Sequence, residues 1–319
     1  MLIDGCGREL TYLRVSLTDK CNLRCKYCVP PEGVKLLEHA DILSLEEVLR
    51  VISILTSMGV SRVRFTGGEP LVRKNAISLI QKVANLESAP RIGLTTNGVL
   101  LDVYIDYLVY SNVRDINISL DTLDPAVYET LTGEDALSSV MRSIQSCLEN
   151  GVNLKLNVVP IKGINDEDIP SLAALARDYN VAVRFIELMP VGCASCYEGL
   201  SNDDVRKKLS EVYGKETLCE TEGGGPAEYV KYEGFTGKVG FISPMSHSFC
   251  DKCNRLRLTC DGKLKLCLAS PECLDLKALL RAGSSDEEIA EAIRDAVKNK
   301  PARHGMRFTD DRNMIGIGG

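Results

Sequence analysis

Two patterns of apolar and polar positions alternate along the 319-residue chain. Short apolar runs rich in Val, Ile and Phe are typical of buried strands, whereas longer segments with an apolar residue at every third or fourth position are typical of amphipathic helices. The short runs predict strands at Val63–Thr66, Arg91–Thr95, Asp115–Leu120, Val152–Val159 and Val181–Glu187, and a later strand at Gly237–Ser243.

Capping residues mark several helix starts between these strands. Ser44-Leu-Glu-Glu47 has the capping-box pattern, in which a Ser and a Glu three residues later bind each other's backbone N–H groups. Asp124 followed by Pro125 places an N-cap residue before the residue type favoured at the first helical position. Ser284-Ser-Asp-Glu287 predicts the start of a further helix, which extends through Val297.

The alternation of strands and helices predicts an α/β fold with a parallel sheet. About six repeats favour a partial, TIM-like (α/β)6 barrel, in which chemistry lies on loops at the carboxyl ends of the strands. After residue 215 the pattern weakens: Glu222-Gly-Gly-Gly-Pro226 is expected to be a loop, and Ile315-Gly-Ile-Gly-Gly319 is too rich in glycine for regular structure. We therefore predict a barrel at residues 1–215 and a smaller C-terminal region at 216–319.

Composition and charge narrow the function classes. A hydrophobic content of 45% and a charged content of 26% are ordinary for a globular protein. The formal net charge of −6 argues against a partner of the nucleic-acid type, but it allows a local group of arginines to bind an anionic substrate. The first residues have no apolar signal segment and no apolar run reaches about 18 residues, so we expect a cytoplasmic protein without a membrane partner.

Thirteen cysteines in such a chain indicate metal binding or catalysis rather than disulfides. Cys21, Cys25 and Cys28 have the spacing C-x3-C-x2-C, which supplies three thiolates from one loop. Three thiolates leave one iron of a four-iron cluster without a protein ligand, and an open iron can act on a bound molecule. A structural zinc site with a distant fourth ligand is the alternative, but zinc commonly takes C-x2-C pairs, so the cluster is favoured.

A second set of cysteines lies near the C-terminus. Cys250, Cys253 and Cys267 have the spacing C-x2-C-x13-C. The first pair is a typical zinc half-site, and Cys260 or Cys273 could complete it. Judged by spacing, zinc and an iron–sulfur cluster remain equally open here.

Basic residues occupy positions inside several strand-like runs. Arg255 and Arg257 alternate, so on an extended segment they share one face and suit phosphate binding, unless they form a solvated edge. A charge inside an apolar run is costly to bury without a partner. Four such residues lie on successive predicted strands, namely Arg14, Arg64, Lys155 and Arg184. We therefore favour a cationic barrel interior that binds a polyanion, rather than four scattered ion pairs.

The first cysteine set, with Tyr27 before its last cysteine, precedes Thr66-Gly-Gly-Glu-Pro70. Alone, the latter could be an ordinary βα turn with glycines that permit close backbone approach. Together the motifs resemble the radical S-adenosylmethionine (SAM) superfamily. The resemblance implies a [4Fe–4S] cluster whose open iron binds SAM and whose reduction yields a 5′-deoxyadenosyl radical. It also implies SAM contacts from Gly67, Gly68, Glu69, Thr96-Asn-Gly98, Ser119 and Asp121.

Across nearly the whole chain the motifs resemble the GTP 3′,8-cyclase family. The resemblance is carried by Arg14–Cys21, Arg64–Pro70, Leu94–Gly98, Asn117–Asp121, Lys155–Val159, Arg184–Met189, Ser248–Cys250 and the final Gly318-Gly319. It implies a second [4Fe–4S] cluster on Cys250, Cys253 and Cys267, with guanine on its open iron. It implies SAM contacts from Tyr27, Gly68, Ser119 and Met189, and GTP contacts from Arg14, Arg64, Thr95, Lys155, Arg184, Arg255 and Arg257. It assigns Arg255, Arg257 and the Gly318-Gly319 tail to catalysis, although a glycine-rich terminus is usually only frayed.

The same resemblance implies a reaction and partners. The radical removes the ribose 3′ hydrogen of GTP, and that carbon attacks C8 of guanine. The product, 3′,8-cyclo-7,8-dihydro-GTP, is the first intermediate of molybdenum cofactor biosynthesis and passes to cyclic pyranopterin monophosphate synthase. An electron donor of the flavodoxin or ferredoxin type and a homodimer are expected. A peptide-modifying radical SAM enzyme and a zinc-stabilised nucleotide-binding module are the alternatives, and no function is expected for Cys193 and Cys196.

Overall fold

The computed structural model describes residues 1–219, 225–304 and 314–317. Within these ranges a single sheet contains twelve strands, and ten α-helices accompany it. The strands are β1 Tyr12–Ser16, β2 Arg62–Thr66, β3 Arg91–Thr96, β4 Asp115–Ser119, β5 Asn153–Val158, β6 Ala182–Ile186, β7 Thr217–Cys219, β8 Glu228–Lys231, β9 Lys238–Ile242, β10 Arg255–Leu258, β11 Lys263–Lys265 and β12 Cys273–Asp275. The helices are α1 Leu45–Ser57, α2 Ala76–Ala84, α3 Leu101–Tyr110, α4 Pro125–Thr132, α5 Leu137–Glu149, α6 Ile169–Asp178, α7 Asn202–Tyr213, α8 Leu276–Arg281, α9 Asp286–Lys298 and α10 Met314–Ile317.

Eight parallel strands form the centre of the sheet, in the order β10-β1-β2-β3-β4-β5-β6-β9. Antiparallel strands extend it at both margins, β11 and β12 beyond β10, and β8 and β7 beyond β9. In the described part of the chain the outermost strands β12 and β7 do not pair, so the barrel is open. The prediction of an α/β fold with a partial barrel is confirmed.

The predicted elements agree with the structure to within about one residue at their ends. All six predicted strands are present, as β2 to β6 and β9. Ser44 and Glu47 form the predicted capping box of α1, and Asp124 caps α4. The cap of α9 is one residue later than predicted, because Ser285 and Glu288 form its capping box.

One local prediction is wrong and another lies partly outside the described residues. The chain forms the short helix α10 where no regular structure was expected. Ile315 and Ile317 are buried there, and their burial offsets the poor helix propensity of the glycine between them. Of the loop predicted at 222–226, the structure describes only Gly225 and Pro226.

Residues after 215 contribute to both margins of the same sheet. β9 pairs with β6, and β10 pairs with β1, so the last third of the chain continues the barrel wall on either side of the first six strands. β10, β11 and β12 are only three or four residues long, too short for a clear apolar pattern. A division of the chain at residue 215 stays a prediction.

The two faces of the sheet differ in character. In β1, Leu13 and Val15 are fully buried against the helical layer, whereas Tyr12 and Arg14 face the interior of the barrel. The same alternation continues around the wall, so the apolar core lies outside the barrel and polar side chains lie inside it. None of the described helices has both the length and the apolar character required to cross a bilayer.

Candidate active site

The interior of the barrel is a cavity of about 930 Å³. Inward-facing residues of all eight parallel strands line it. All seven residues that the sequence predicted to contact GTP line this cavity, namely Arg14, Arg64, Thr95, Lys155, Arg184, Arg255 and Arg257. Tyr27, Ser119 and Met189, expected at SAM, also line it, as do Cys28, Cys250, Cys253 and Cys267.

The two cysteine sets lie at opposite ends of the barrel. The loop with Cys21, Cys25 and Cys28 follows the carboxyl end of β1. Cys250 and Cys253 precede β10, which is parallel to β1, and therefore lie at its amino end. Cys267 follows the antiparallel strand β11 and reaches that same end. A molecule in the cavity would consequently have one cysteine set at each end.

Two glycines attach the first cysteine loop to the barrel. Gly68 N donates to Thr18 O at 2.6 Å, and Glu69 N donates to Lys20 O at 2.8 Å. A Cβ atom at Gly67 would lie 2.7 Å from Thr18 O, and one at Gly68 would lie 2.2 Å from Lys20 O. Only glycine permits this approach, so the Gly-Gly-Glu segment fixes the chain that leads into the cysteine loop. Contacts of these glycines with SAM stay a prediction.

The carboxylate of Glu69 is buried and accepts three hydrogen bonds. Its donors are Leu71 N at 3.0 Å, the Thr96 hydroxyl at 2.8 Å and Asn97 N at 2.7 Å. Burial raises the pKa of Glu69 to about 7, although these donors oppose the shift. Asn97 Nδ2 lies 3.7 Å from Cys21 Sγ, so Glu69 holds a residue that touches the cysteine loop. The contact of Glu69 with SAM stays a prediction.

Helix α4 packs against the same loop. Arg24 N donates to Thr132 O at 2.7 Å, and Lys26 N donates to Leu131 O at 2.9 Å. Beside these contacts the Tyr128 hydroxyl is buried without a hydrogen-bond partner among the described residues, although it lies in the field of the Cys21 and Cys25 thiols. A buried hydroxyl beside thiols fits an acceptor such as the sulfur of a bound iron–sulfur cluster.

A tyrosine and a buried carboxylate lie beside the first cysteine set. The Tyr27 hydroxyl donates to Asp121 Oδ2 at 2.6 Å, and Val159 N donates to Asp121 Oδ1 at 2.8 Å. Burial raises the pKa of Asp121 to about 6. Burial, followed by the charge of Asp121, also raises the pKa of the Cys28 thiol. The Tyr27–Asp121 pair therefore adds negative charge on the cavity side of this loop.

The second cysteine set lies among cations that the sequence patterns did not single out. Lys300 is buried, and its Nζ donates to the carbonyls of Leu266 and Arg255, the latter at 3.0 Å. Arg8 Nη1 donates to Cys250 O at 2.7 Å. Burial raises the pKa of the Cys253 thiol, but the charges of Lys300 and Arg255 outweigh it and lower this pKa to about 7. No periodicity marks Arg8 or Lys300, because the chain ends bring them to the site.

The cavity wall is strongly cationic. In the described part of the chain ten lysines and arginines line it against three carboxylates, although the whole chain carries a net charge of −6. Burial lowers the pKa of Arg14 to about 10, and the charges of Arg64, Arg255 and Arg184 add to that shift while Tyr12 opposes it. Burial, Arg14 and Arg255 also lower the pKa of Arg257. Cations that repel one another in a cavity favour binding of a polyanion.

A glycine makes room for one of these cations. A Cβ atom at Gly93 in β3 would lie 2.6 Å from Arg64 Nη2, so only glycine lets this guanidinium cross the inner face of the neighbouring strand. Arg64 Nε donates to the Tyr12 hydroxyl at 2.7 Å, and Nη1 donates to Leu94 O at 2.8 Å. Neither Gly93 nor Tyr12 was expected at the site. A glycine inside a strand often marks the close approach of another group, so the sequence did carry an indication for Gly93.

The cysteine geometry differs from that of a single-ion site. Among the described residues no three His, Cys, Asp or Glu side chains converge on one metal ion. Cys260 and Cys273, the candidate fourth zinc ligands, do not line the cavity. The sulfurs of a [4Fe–4S] site bind different irons and need not converge on one ion, so a cluster at either set is compatible with this geometry.

Two further predictions concern residues near the cavity. Cys193 lies in a short turn, Gly192–Cys196, and its Sγ is 3.6 Å from Lys26 O of the first cysteine loop. Gly318 and Gly319 lie outside the described residues, so their role stays a prediction. Met314 of α10 lines the cavity, which brings the last described turn of the chain to the site.

Comparisons with known proteins agree with this geometry. Residues 15–176 match the Radical SAM superfamily, and residues 181–306 match Molybdenum Cofactor Synthesis C. The chain is 42% identical to the GTP 3′,8-cyclase of Desulforamulus reducens, with 100% of both chains covered. It is 43% identical to those of Peptoclostridium acidaminophilum (100% and 98% covered) and Moorella thermoacetica (99% of both). The crystal structure of Streptococcus suis SuiB bound to S-adenosylmethionine has the same fold, with a TM-score of 0.61 and 16% identity over 90% of this chain and 68% of that one.

Proposed function

The chain belongs to the GTP 3′,8-cyclase family of radical SAM enzymes, and from this we propose that it converts GTP to 3′,8-cyclo-7,8-dihydro-GTP. It is an enzyme of molybdenum cofactor biosynthesis that uses SAM and a [4Fe–4S] cluster. The observation that carries the proposal is the single cationic cavity with a cysteine set at each end. A radical made at one end can thereby reach an anionic nucleotide held at the other.

The first cysteine set holds the cluster that serves SAM. Cys21, Cys25 and Cys28 are its ligands, and the buried Tyr128 hydroxyl beside them supports this fit. When bound, this cluster and SAM supply the radical that removes the ribose 3′ hydrogen. Tyr27, Ser119 and Met189 line the cavity and contact SAM, while Gly67, Gly68 and Glu69 hold the cysteine loop in place and meet its methionine end.

The second cysteine set holds a second [4Fe–4S] cluster that binds the guanine ring. Its support is the chemistry of three thiols at the cavity wall, the lack of a single-ion site among the described side chains, and the adjacent cations Arg255 and Lys300. Cationic side chains stabilise thiolates, which are the form that binds iron. Arg255 and Arg257 lie beside this set and act in catalysis by fixing the nucleotide, and Gly318 and Gly319 assist them.

The remaining cations bind the triphosphate. Arg14, Arg64, Lys155 and Arg184 point into the cavity from four strands, and Thr95 lies between them on β3. Arginine binds phosphate oxygens through two parallel N–H donors, which suits a chain of three phosphates. A donor of the flavodoxin or ferredoxin type supplies the electron, cyclic pyranopterin monophosphate synthase takes the product, and the enzyme forms a homodimer.

GTP-dependent cleavage of SAM tests the reaction. We expect the anaerobically reconstituted chain, given GTP, SAM and dithionite, to form 5′-deoxyadenosine and the cyclised nucleotide in equal amounts. ATP in place of GTP is the control and yields no cyclised product. If 5′-deoxyadenosine formation does not depend on GTP and GTP is recovered unchanged, the proposed function is wrong.

The metal content tests the second cluster separately. Two clusters require about eight irons and eight sulfides per chain. Cys267→Ser should lower both counts, whereas Cys273→Ser, which changes an exposed cysteine away from the cavity, should not. A content of about four irons with one zinc would contradict the second cluster and leave the SAM chemistry intact.

A further inference from the structure

Asn117 is a buried polar residue at the cavity for which the mechanism so far has no use. It belongs to the inner face of β4, is 6% exposed and lines the cavity. Its Nδ2 donates to the Thr95 hydroxyl at 3.4 Å, but its Oδ1 has no hydrogen-bond partner among the described residues. A buried acceptor without a donor costs free energy, so such an atom in a cavity indicates a donor on the ligand.

Neighbouring acceptors on the same inner wall differ from Asn117 in this respect. Asp115 is the preceding inward-facing residue of β4. Its carboxylate accepts hydrogen bonds from Arg91 and, at 2.7 Å, from Asn153 Nδ2, and it lies 3.7 Å from Lys155 Nζ. Asn157 on β5 accepts from Arg184 Nε at 2.9 Å. The described residues therefore supply donors to the acceptors on either side of Asn117 and none to its oxygen. This pattern distinguishes Asn117 Oδ1 from the structural polar groups of the wall.

The chemistry of the nucleotide limits what can donate to this oxygen. An amide oxygen accepts only, and phosphate oxygens are acceptors too, so the triphosphate cannot be the partner. The nucleoside carries the donors: the ribose hydroxyls and the N–H groups of guanine. Guanine is assigned to the cysteine set beside β10, and β4 lies four strands from β10 in a wall of eight parallel strands, on the opposite side. Among the donors of the nucleotide, the ribose hydroxyls are those that remain.

The height of Asn117 in the barrel agrees with this choice. Ser119, expected at SAM, is the next inward residue of β4, about 7 Å nearer the first cysteine set. Lys155, expected at the triphosphate, is the direct neighbour of Asn117 in the register of β4 and β5. The ribose of a nucleotide that bridges these positions lies beside Asn117.

We propose that Asn117 Oδ1 accepts a hydrogen bond from a ribose hydroxyl of GTP and so positions the ribose below SAM. This inference rests on the proposed function, since it takes GTP as the ligand. Asn117 acts as a positioning and specificity residue, because the hydrogen bond fixes which face of the ribose is turned toward the first cysteine set.

Calorimetric binding of three nucleotides to the reconstituted enzyme without SAM tests this role. We expect the wild type to bind GTP roughly tenfold more tightly than either 2′-deoxy-GTP or 3′-deoxy-GTP, whichever lacks the donor. Asn117→Ala should bind GTP as weakly as the wild type binds that analogue. The variant should bind GTP and the analogue with equal affinity. Asn117→Asp keeps an acceptor, so it should still distinguish the two while binding all three more weakly through repulsion of the triphosphate.

Asn157→Ala is the matched control, because its oxygen already accepts from Arg184. It should weaken all three nucleotides by one factor and leave the discrimination intact. An equal loss for all three nucleotides in Asn117→Ala, a loss of discrimination in Asn117→Asp, or a weakened affinity for SAM instead of GTP would each overturn the inference. If the wild type binds no GTP, the proposed function fails with it.

Discussion

The two cysteine sets differ in how the chain builds them and in the charge around them. The first comes from one eight-residue loop, Cys21 to Cys28, and its neighbours are Tyr128, Tyr27 and the carboxylate of Asp121. Burial raises the pKa of all three of its thiols. The second comes from two separate segments held together by cations, which lower the pKa of one of its thiols.

This difference matches the charge of the ligand proposed for each end. SAM carries a sulfonium and an ammonium group, so a site with the adjacent carboxylate of Asp121 complements it. GTP is a polyanion, and the other end supplies Arg255, Arg257 and Lys300 beside the cysteines. The cavity is therefore polarised along the barrel axis, and this charge difference fits the end proposed for each ligand.

The largest effect should come from removing one thiol at each end. Cys25→Ser should abolish all cleavage of SAM, because the loop then lacks a ligand for the iron that serves it. Cys253→Ser should form no cyclised nucleotide but still cleave SAM in the presence of GTP, because the cations proposed to bind the triphosphate are unchanged. Anaerobic assays of 5′-deoxyadenosine and of the nucleotide product, with iron content, check both expectations.

The control for these variants is Cys147→Ser, a cysteine buried in α5 and away from the cavity. It should retain both activities if the protein remains folded, which circular dichroism establishes. Loss of SAM cleavage in Cys253→Ser to the level of Cys25→Ser would remove the functional distinction between the two ends.

Sequence patterns predicted the first site better than the second for a physical reason. The spacing of Cys21, Cys25 and Cys28 and the alternation of Arg64 or Lys155 with apolar neighbours are local, so they are readable along the chain. Arg8 and Lys300 reach the second site only through folding of the chain ends, and no local pattern reports that. Six strands of the open barrel, β2 to β6 and β9, were predictable because they are long enough for an apolar pattern to show.

Some residues at the site had a readable signal that was not used. Gly93 interrupts a run that otherwise reads as a strand, which indicates a close approach, and Arg64 occupies that space. Asn117 lay within the quoted motif Asn117–Asp121, but only the structure shows that its oxygen lacks a donor among the described residues. Satisfaction of a hydrogen bond is a property of the folded environment and has no counterpart in spacing.

Removal of the Lys300 charge should sharpen the electrostatic contrast between the ends. Lys300→Met removes one of the cations beside the second cysteine set, so reduction of the cluster proposed there becomes harder. A unit charge about 8 Å from a redox centre at an effective dielectric of about 20 contributes about 2 kcal/mol, on the order of 100 mV for one electron. We expect a lowered midpoint potential for the second cluster in an anaerobic redox titration followed by electron paramagnetic resonance.

Lys300→Arg is the matched variant, since it keeps the charge and can donate to the same carbonyls. It should retain a potential near that of the wild type. If Lys300→Met shifts the potential of the first cluster by as much as that of the second, the charge contrast is not local to one end.

GTP affinity should depend on pH through the protonation of Lys155, one of the cations of the cavity wall. Burial lowers the pKa of Lys155 to about 8, with Arg184 and Arg64 adding to the shift and Asp115 opposing it. Bound triphosphate favours the protonated ammonium, so GTP affinity should be constant below pH 8 and fall above it, by at most about tenfold per pH unit. Calorimetry at pH 7 to 9 measures this decline.

Lys155→Arg stays protonated over that range and should remove the decline. An equal decline in wild type and Lys155→Arg would assign the proton to another group. SAM binding should show no such dependence, since its end of the cavity does not use Lys155.

The smallest effect should come from the Tyr128 hydroxyl beside the first cysteine set, which we expect to change only the potential of the cluster. Tyr128→Phe removes only the oxygen that lacks a partner among the described residues, so packing of α4 on the loop is unchanged. A hydrogen bond to a cluster sulfur raises its potential, and a net value of about 1 kcal/mol corresponds to roughly 40 mV. We expect a lower potential for the first cluster at unchanged iron content.

Tyr27→Phe is the contrasting change, because that hydroxyl already donates to Asp121, and its loss should alter SAM affinity more than potential. A potential that is unmoved in Tyr128→Phe would mean that the first end relies on its three thiols and SAM alone, without the hydrogen bond that the buried hydroxyl offers.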